Sequence, residues 1–132
     1  MVSQSIYVDN QPNANIQPAV WWDEIRFHAD RFFDLAHTFD RKASVRIQAA
    51  LMANLIDQQE IVESMPYPPS VQTARNRLLD AMAHTLIGIN TYLNADNVNH
   101  VGFNAFATAR TQLACFHDAL SSALATQKQA IR

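Results

Sequence analysis

The sequence predicts an all-α domain: a single antiparallel, up-down-up-down four-helix bundle with an extended N-terminal arm. Three observations lead to this fold class. Glycine occurs 2 times and proline 5 times in 132 residues, which is too few for the turns of a many-stranded β fold. Apolar residues make up 48% and charged residues 17%, so the chain can build a hydrophobic core. Apolar residues also recur at alternating spacings of three and four, as on one face of a helix.

Residues 1–17 are predicted to form the arm, and residues 18–132 the bundle. Segment 10–17 is polar, contains Pro12 and lacks a helical period. The first helix is predicted to begin at Pro18, because proline lacks only an N–H that the first turn does not use. Its inward stripe has spacings of 4, 3, 4, 3 and 4: Trp21, Ile25, His28, Phe32, Leu35 and Phe39.

The apolar stripe changes direction after Phe39, which predicts a turn near Asp40–Ala43. A heptad step from Phe39 leads to Arg46, whereas the apolar residues that follow are Val45, Met52, Leu55, Ile56 and Val62. Their stripe is rotated by roughly 150° about the helix axis at about 100° per residue. One straight helix cannot bury both stripes in one core, so a second helix is predicted to run to about Ser64.

The second helix is separated from the third by a segment with three prolines, Pro66, Pro68 and Pro69, which we call the proline loop. The third helix is predicted to bury Val71, Ala74, Leu78, Met82, Ile89 and Leu93.

Segment 94–99 contains three asparagines and is predicted to be a loop. The fourth helix is predicted to start between Asn99 and Asn104 and to bury Phe106, Leu113, Phe116, Leu120 and Leu124. Short loops favour antiparallel neighbours, so the arm, the proline loop and the C-terminus should share one end.

Composition and charge also limit the function. The net charge of −2 gives no electrostatic reason to expect a nucleic acid or an anionic membrane as partner. The first nine residues lack the basic and apolar regions of a signal peptide, and no apolar run approaches about 18 residues. We therefore expect a cytoplasmic protein. Cys115 is the single cysteine and cannot form an intrachain disulfide.

Counting residues outward from the loops places several polar side chains at similar heights near the end that carries the proline loop. They are Glu24, His28, Gln59, Glu63, Arg75 and His117. Arg75 and Gln59 lie within the apolar arcs of their helices, and a buried guanidinium requires a carboxylate such as that of Glu63 or Glu24. This polar layer could bind a small ligand or anion. Alternatively, it could be an internal ion pair that helps to fix helix register.

Two acidic–histidine pairs have spacings that metal-binding helices use. Asp34 and His37 are three residues apart, and Asp80 and His84 are four apart. Both pairs lie opposite the inward stripes of their helices, and the four carboxylates and two histidines of a di-iron bundle are not found. We therefore predict neither a metal site nor another cofactor.

The fourth helix carries the segment Arg110-Thr111-Gln112-Leu113-Ala114-Cys115-Phe116-His117. Its arginine and histidine project from one flank, since seven residues make nearly two turns. The segment resembles the arginine–histidine motif of the HEPN helical-bundle domains, many of which are ribonucleases, and the resemblance covers these eight residues. It implies RNA cleavage in which His117 transfers a proton and Arg110 stabilises phosphate charge.

The predicted outer faces favour association with another protein. The fourth helix presents small, nearly uncharged residues: Asn104, Ala107, Thr108, Thr111, Ala114, Cys115, Asp118, Ala119, Ser122 and Ala125. The second helix similarly presents Ala43, Ala50, Ala53 and Asn54. Small faces allow helices to approach closely, although the same residues could simply face water.

The first helix adds Phe27 on its outer face and Trp22 and Phe33 at the margins, and exposed aromatic residues often anchor interfaces. The leading hypothesis is therefore a non-catalytic module that associates with itself, most simply as a two-fold dimer, or also with an unidentified protein. The alternatives are a HEPN-like ribonuclease that uses Arg110 and His117, and a small-ligand binder with its site around Arg75.

Overall fold

The computed structural model describes residues 12–94 and 100–131, and this part of the chain is all-helical. Helix α1 spans Pro18–Ala36, α2 spans Val45–Ser64, α3 spans Gln72–Asn94 and α4 spans His100–Ile131. A single 3-10 turn, Pro69–Val71, precedes α3. The all-α class and the four predicted helices are confirmed. No helix within these two ranges combines the length and hydrophobicity needed to cross a bilayer.

The turn predicted between the first two helices is present. The main-chain N–H of Ala43 donates to the carbonyl of Asp40 at 3.1 Å, and the N–H of Lys42 donates to the Asp40 carboxylate at 2.9 Å. Ser44 then caps α2, since its hydroxyl accepts a hydrogen bond from the N–H of Ile47 at 3.3 Å. The change in stripe direction therefore marks a true break between α1 and α2.

The core contains side chains from all four helices and from the proline loop. Its largest fully buried members are Trp21, Phe32, Phe116, Ile25, Leu55, Leu78, Met82, Ile89, Val62 and Val71. All ten belong to the apolar stripes that the sequence predicts to face inward. The sequence pattern fails for α2, where Val45 is 80% exposed and Ile56 is 40% exposed. Only Leu55 and Val62 of α2 are buried, because the apolar residues of this helix are spread too widely around its axis to reach one core.

Contacts between distant residues join the ends of the helices. Near the start of α1, the N–H of Ala19 donates to the side-chain oxygen of Gln127 in α4 at 3.0 Å. Beyond the other end of α1, the ring of Phe39 lies 6.2 Å from that of Tyr92 in α3. The Tyr92 ring in turn lies 5.8 Å from Phe106 in α4. These centroid distances are typical of aromatic pairs.

Residues 12–16 contact the proline loop. Pro12 forms an isolated parallel bridge with Tyr67, and the N–H of Asn13 donates to the Tyr67 carbonyl at 2.7 Å. A turn follows, in which the N–H of Ile16 donates to the Asn13 carbonyl at 3.1 Å. Residues 1–11 of the predicted arm and 95–99 of the predicted loop lie outside the described residues.

Candidate functional site

Arg75 is buried, with 9% of its surface exposed, but its partners are not those expected from the sequence. Its Nη2 donates to the main-chain carbonyl of Glu63 at 2.8 Å, and its guanidinium carbon lies 4.3 Å from the ring centroid of Tyr67. Within residues 12–94 and 100–131, no carboxylate pairs with it. A carbonyl in the last turn of α2 and an aromatic ring in the loop that follows α2 thus replace the predicted ion pair.

Two buried donors have no hydrogen-bond partner among the described residues: Nε of Arg75 and Nε1 of Trp21. Both residues lie about one turn into their helices, α3 and α1. An unpaired buried N–H costs roughly 1–3 kcal/mol relative to a paired one. The core therefore contains two buried donors whose hydrogen-bonding capacity is unused.

Of the other residues in the predicted polar layer, Glu63 is the one with a hydrogen bond to Arg75 among the described residues. His28 is half-buried, and its Nδ1 lies 2.7 Å from the side-chain oxygen of Gln58. Gln59, the predicted member of the layer next to Gln58, is also half-buried. Glu24 and His117 are exposed, as is the side chain of Glu63. The structure joins Arg75 to Glu63, but only through the backbone of Glu63. Gln58 was missed because counting residues from a loop fixes the direction of a side chain only to within about one position.

The predicted nuclease pair occupies two separate environments on α4. Arg110 and His117 are both exposed, and Arg110 lines a cavity to which His117 does not contribute. The His117 ring lies 5.1 Å from the ring of Phe116. The histidine that shares the cavity with Arg110 is His37, which follows α1. Sequence spacing within one helix could not identify this partner, since the two residues are 73 positions apart.

The cavity beside Arg110 has a volume of about 270 Å³ and lies between α3, α4 and the C-terminal end of α1. It is lined by Phe33, Ala36, His37, Thr85, Phe106, Ala109, Arg110 and Leu113. Five of the eight are apolar, and no carboxylate is among them. The hydroxyl of Thr85 donates to the carbonyl of Ala81 at 2.8 Å, so its proton is already engaged within α3.

The acidic–histidine pairs are local contacts on single helices. His84 and Asp80 approach to 3.5 Å, four residues apart on α3. His37 instead lies 2.7 Å, through Nδ1, from the carbonyl of Phe33. In the part of the chain that the structure describes, no three histidine, cysteine or carboxylate side chains are grouped as a metal site requires.

The exposed apolar residues are unevenly distributed. The described residues with large exposed apolar side chains are Val20, Phe27, Val45, Ile47, Ile56 and Ile87. Three of these six belong to α2, where Ile47 is 62% exposed. Phe27, on the outer face of α1 as predicted, is 64% exposed. The small residues predicted on the outer faces of α2 and α4 are all exposed or half-buried.

Comparisons with known proteins find no matching family model, no matching curated protein and no matching solved structure.

Proposed function

We propose that this chain is a non-catalytic helical module that acts by protein–protein association, primarily with a second copy of itself. The observation that carries the proposal is the surface of α2. This helix of 20 residues buries two of them and leaves Val45, Ile47 and Ile56 exposed to water. Exposed aliphatic side chains gathered on one helix are typical of an interface rather than of a solvated surface.

One row of residues on α2 has the spacing of a helix–helix contact. Val45, Ala49, Met52 and Ile56 follow one another at intervals of four, three and four, and we call them the α2 stripe. Such intervals keep a row of side chains on one face of a helix and are the spacing of coiled-coil seams. Val45, Ala49 and Ile56 are exposed, and Met52 is half-buried. The α2 stripe therefore offers an uncharged, largely uncovered contact surface.

A second copy of the chain is the partner that fits this stripe best. In a two-fold dimer the same patch lies on both subunits, so the patch must be compatible with itself. The α2 stripe has no charge that would meet its own copy, and Ala49 at its centre allows two helices to approach closely. Neighbouring Ala50 and Ala53 are also small and exposed. A stable interface of this kind should bury about 1,000 Å² or more in total.

The proposal includes the antiparallel bundle with the arm on its proline loop. In such a bundle the start of α1 lies beside the end of α4, and the end of α1 lies beside the end of α3. The contacts of Ala19 with Gln127 and of Phe39 with Tyr92 support this arrangement. The bridge between Pro12 and Tyr67 supports the position of the arm.

The geometry favours association over both alternatives. A HEPN-like nuclease needs Arg110 and His117 in one groove, whereas the cavity at Arg110 is shared with His37. A ligand site at Arg75 needs a guanidinium available for binding, whereas Arg75 is engaged with Glu63 and Tyr67. Association requires neither arrangement, and the exposed side chains of α2 support it directly.

Sedimentation equilibrium at tens of micromolar tests the proposal. We expect twice the mass of the chain for the wild type and the monomer mass for the double variant V45E/I56E, because charged side chains would face each other across the interface. Val45→Glu should not harm the helix, since α2 has no acidic residue in its first turn and a carboxylate there interacts favourably with the helix dipole.

The matched control is Ile87→Glu, which changes a similarly exposed isoleucine on α3 and should leave the dimer intact. A monomeric wild type at these concentrations would refute self-association. A V45E/I56E variant that remains fully dimeric would show that the interface lies elsewhere.

A further inference from the structure

The cavity beside Arg110 has the chemistry of a site for a small organic acid. We propose that it binds a monocarboxylate with a compact aromatic or aliphatic body, with the carboxylate at Arg110 and the apolar body among the cavity walls. This inference is independent of self-association through α2, because α2 contributes none of the lining residues.

Most of the residues that line the cavity are apolar. Phe33 and Ala36 of α1 face Phe106, Ala109 and Leu113 of α4 across the cavity, and these five apolar residues would surround the body of a ligand. Apolar walls with a few well-placed polar groups are typical of small-molecule sites. The walls therefore favour an organic ligand over an inorganic anion such as phosphate.

Arg110 supplies the charge selectivity. It is exposed, and no hydrogen bond or ion pair engages its guanidinium among the described residues. Since no carboxylate lines the cavity, the positive charge there is uncompensated by the lining. A guanidinium stays protonated at all physiological pH values and binds a carboxylate through two parallel hydrogen bonds.

His37 adds a second polar group. A carbonyl oxygen can only accept a hydrogen bond, so the contact of His37 with the Phe33 carbonyl places a proton on Nδ1. In the neutral ring, Nε2 then carries a lone pair and accepts hydrogen bonds. A ligand with a hydroxyl group beside its carboxylate could satisfy both His37 and Arg110.

The volume limits the size of the ligand. An engineered cavity of about 150 Å³ holds benzene, and drug-sized ligands occupy sites of about 300–1,000 Å³. A cavity of about 270 Å³ lies between these cases. It accommodates one aromatic ring with a short acidic side chain, or an aliphatic acid of similar volume.

The test uses 4-phenylbutyrate as the probe and 4-phenylbutanol as its uncharged analogue, with binding followed by calorimetry and NMR on the full chain. We expect saturable binding of the acid, and about tenfold weaker binding of the alcohol, because the alcohol lacks the charge-assisted contact. Arg110→Gln should weaken binding of the acid by about tenfold. The control Arg26→Gln removes the same charge from an exposed site outside the cavity and should change binding less than twofold.

A second variant tests the position of the site without changing charge. Ala36→Leu enlarges a half-buried wall residue at the end of α1, so it should occupy part of the cavity while the helix remains folded. We expect at least tenfold weaker binding of the acid. The proposal is overturned if the folded wild type shows no saturable binding at millimolar probe. Equal affinity for acid and alcohol, or unchanged affinity in either the Arg110→Gln or the Ala36→Leu variant, also overturns it.

Discussion

The two halves of the chain use side chains of different size. In the second helix pair, α3 and α4, many buried positions are small: Ala74, Ala81, Gly88, Ala105, Ala109 and Ala123. In the first pair, α1 and α2, the buried positions are mostly large: Trp21, Ile25, Phe32, Leu55 and Val62. Small side chains allow the backbones of two helices to approach, whereas large ones keep the backbones apart and fill the space between them.

In the second pair, Gly88 of α3 lies directly against the ring of Phe106 in α4. A Cβ atom added to Gly88 would lie 2.7 Å from Cε1 of Phe106, which is shorter than a normal van der Waals contact. In the first pair, α2 is held to the core mainly by two side chains. We therefore expect the second pair to be sensitive to added volume and the first pair to removed volume. The small number of buried residues on α2 also leaves several of its apolar side chains exposed.

The largest effect is expected from removing volume in the first pair. Phe32 is fully buried in α1, and Phe32→Ala should lower the free energy of unfolding by about 3–5 kcal/mol because a large cavity remains. Phe27→Ala removes the same ring from the exposed face of the same helix and should change stability by less than about 0.5 kcal/mol. Urea denaturation of both variants measures the difference, and equal losses would contradict this view of the core.

Adding one methyl group to the second pair should have the next largest effect. Gly88→Ala forces the Phe106 ring to move, and overpacking costs about 1–3 kcal/mol. Alanine recovers up to about 1 kcal/mol of helix propensity, so we expect a net loss of about 1–2 kcal/mol. In a Phe106→Leu background the same change should be neutral or stabilising. Thermal unfolding of the double-mutant cycle tests this, and additive effects would show that the two residues do not compete for space.

The contacts of Arg75, which join α3 to α2 and to the proline loop, should contribute less to the free energy of unfolding. Arg75→Met removes the hydrogen bond to the Glu63 carbonyl and the contact with the Tyr67 ring. It also removes the unpartnered Nε, which offsets part of the loss. We expect destabilisation of about 1 kcal/mol. Tyr67→Phe keeps the ring under the guanidinium and should retain most of the stability in the same denaturation experiment. If Tyr67→Phe lowered the free energy of unfolding as much as Arg75→Met does, the stabilisation would come from the tyrosine hydroxyl and not from the contact of Arg75 with the ring.

The smallest effect is expected at the start of α2. Ser44 accepts a hydrogen bond from the N–H of Ile47, and Ser44→Ala should cost about 0.5–1 kcal/mol. The loss should be local, with faster amide exchange in the first turn of α2 and unchanged exchange in α3. Ser44→Asp keeps a capping oxygen and should restore protection. If Ser44→Ala made amide exchange faster across all four helices, the first turn of α2 would not open independently of the rest of the domain.

The sequence predicted the helices better than it predicted their neighbours. The prolines of the proline loop act through local backbone chemistry, so the break that they cause could be predicted from a few adjacent residues. The turn near Asp40 could be predicted from the different directions of the apolar stripes before and after it. The burial of individual residues on α2 could not be predicted in this way, because it depends on how many helices surround α2. Val45 and Ile56 therefore share the predicted stripe with Leu55 and are nevertheless exposed.

The candidate sites show the same limit. Burial of Arg75 followed from its position among apolar residues of α3, but its contact with Tyr67 depends on how the proline loop folds over that helix. Arg110 was selected for its spacing from His117 within α4. In the structure, Arg110 and His37 line the same cavity, which is formed by three helical segments. The spacing of residues along a single helix could not predict this arrangement.

Hydrogen exchange of α2 as a function of protein concentration reports on self-association at the helix proposed to form the interface. If the α2 stripe pairs with its copy, amides of residues 45–60 should exchange more slowly as the concentration rises from below one to tens of micromolar, while those of α3 keep constant rates. V45E/I56E should abolish the concentration dependence. Protection of α2 that is identical at every concentration would contradict self-association through this helix.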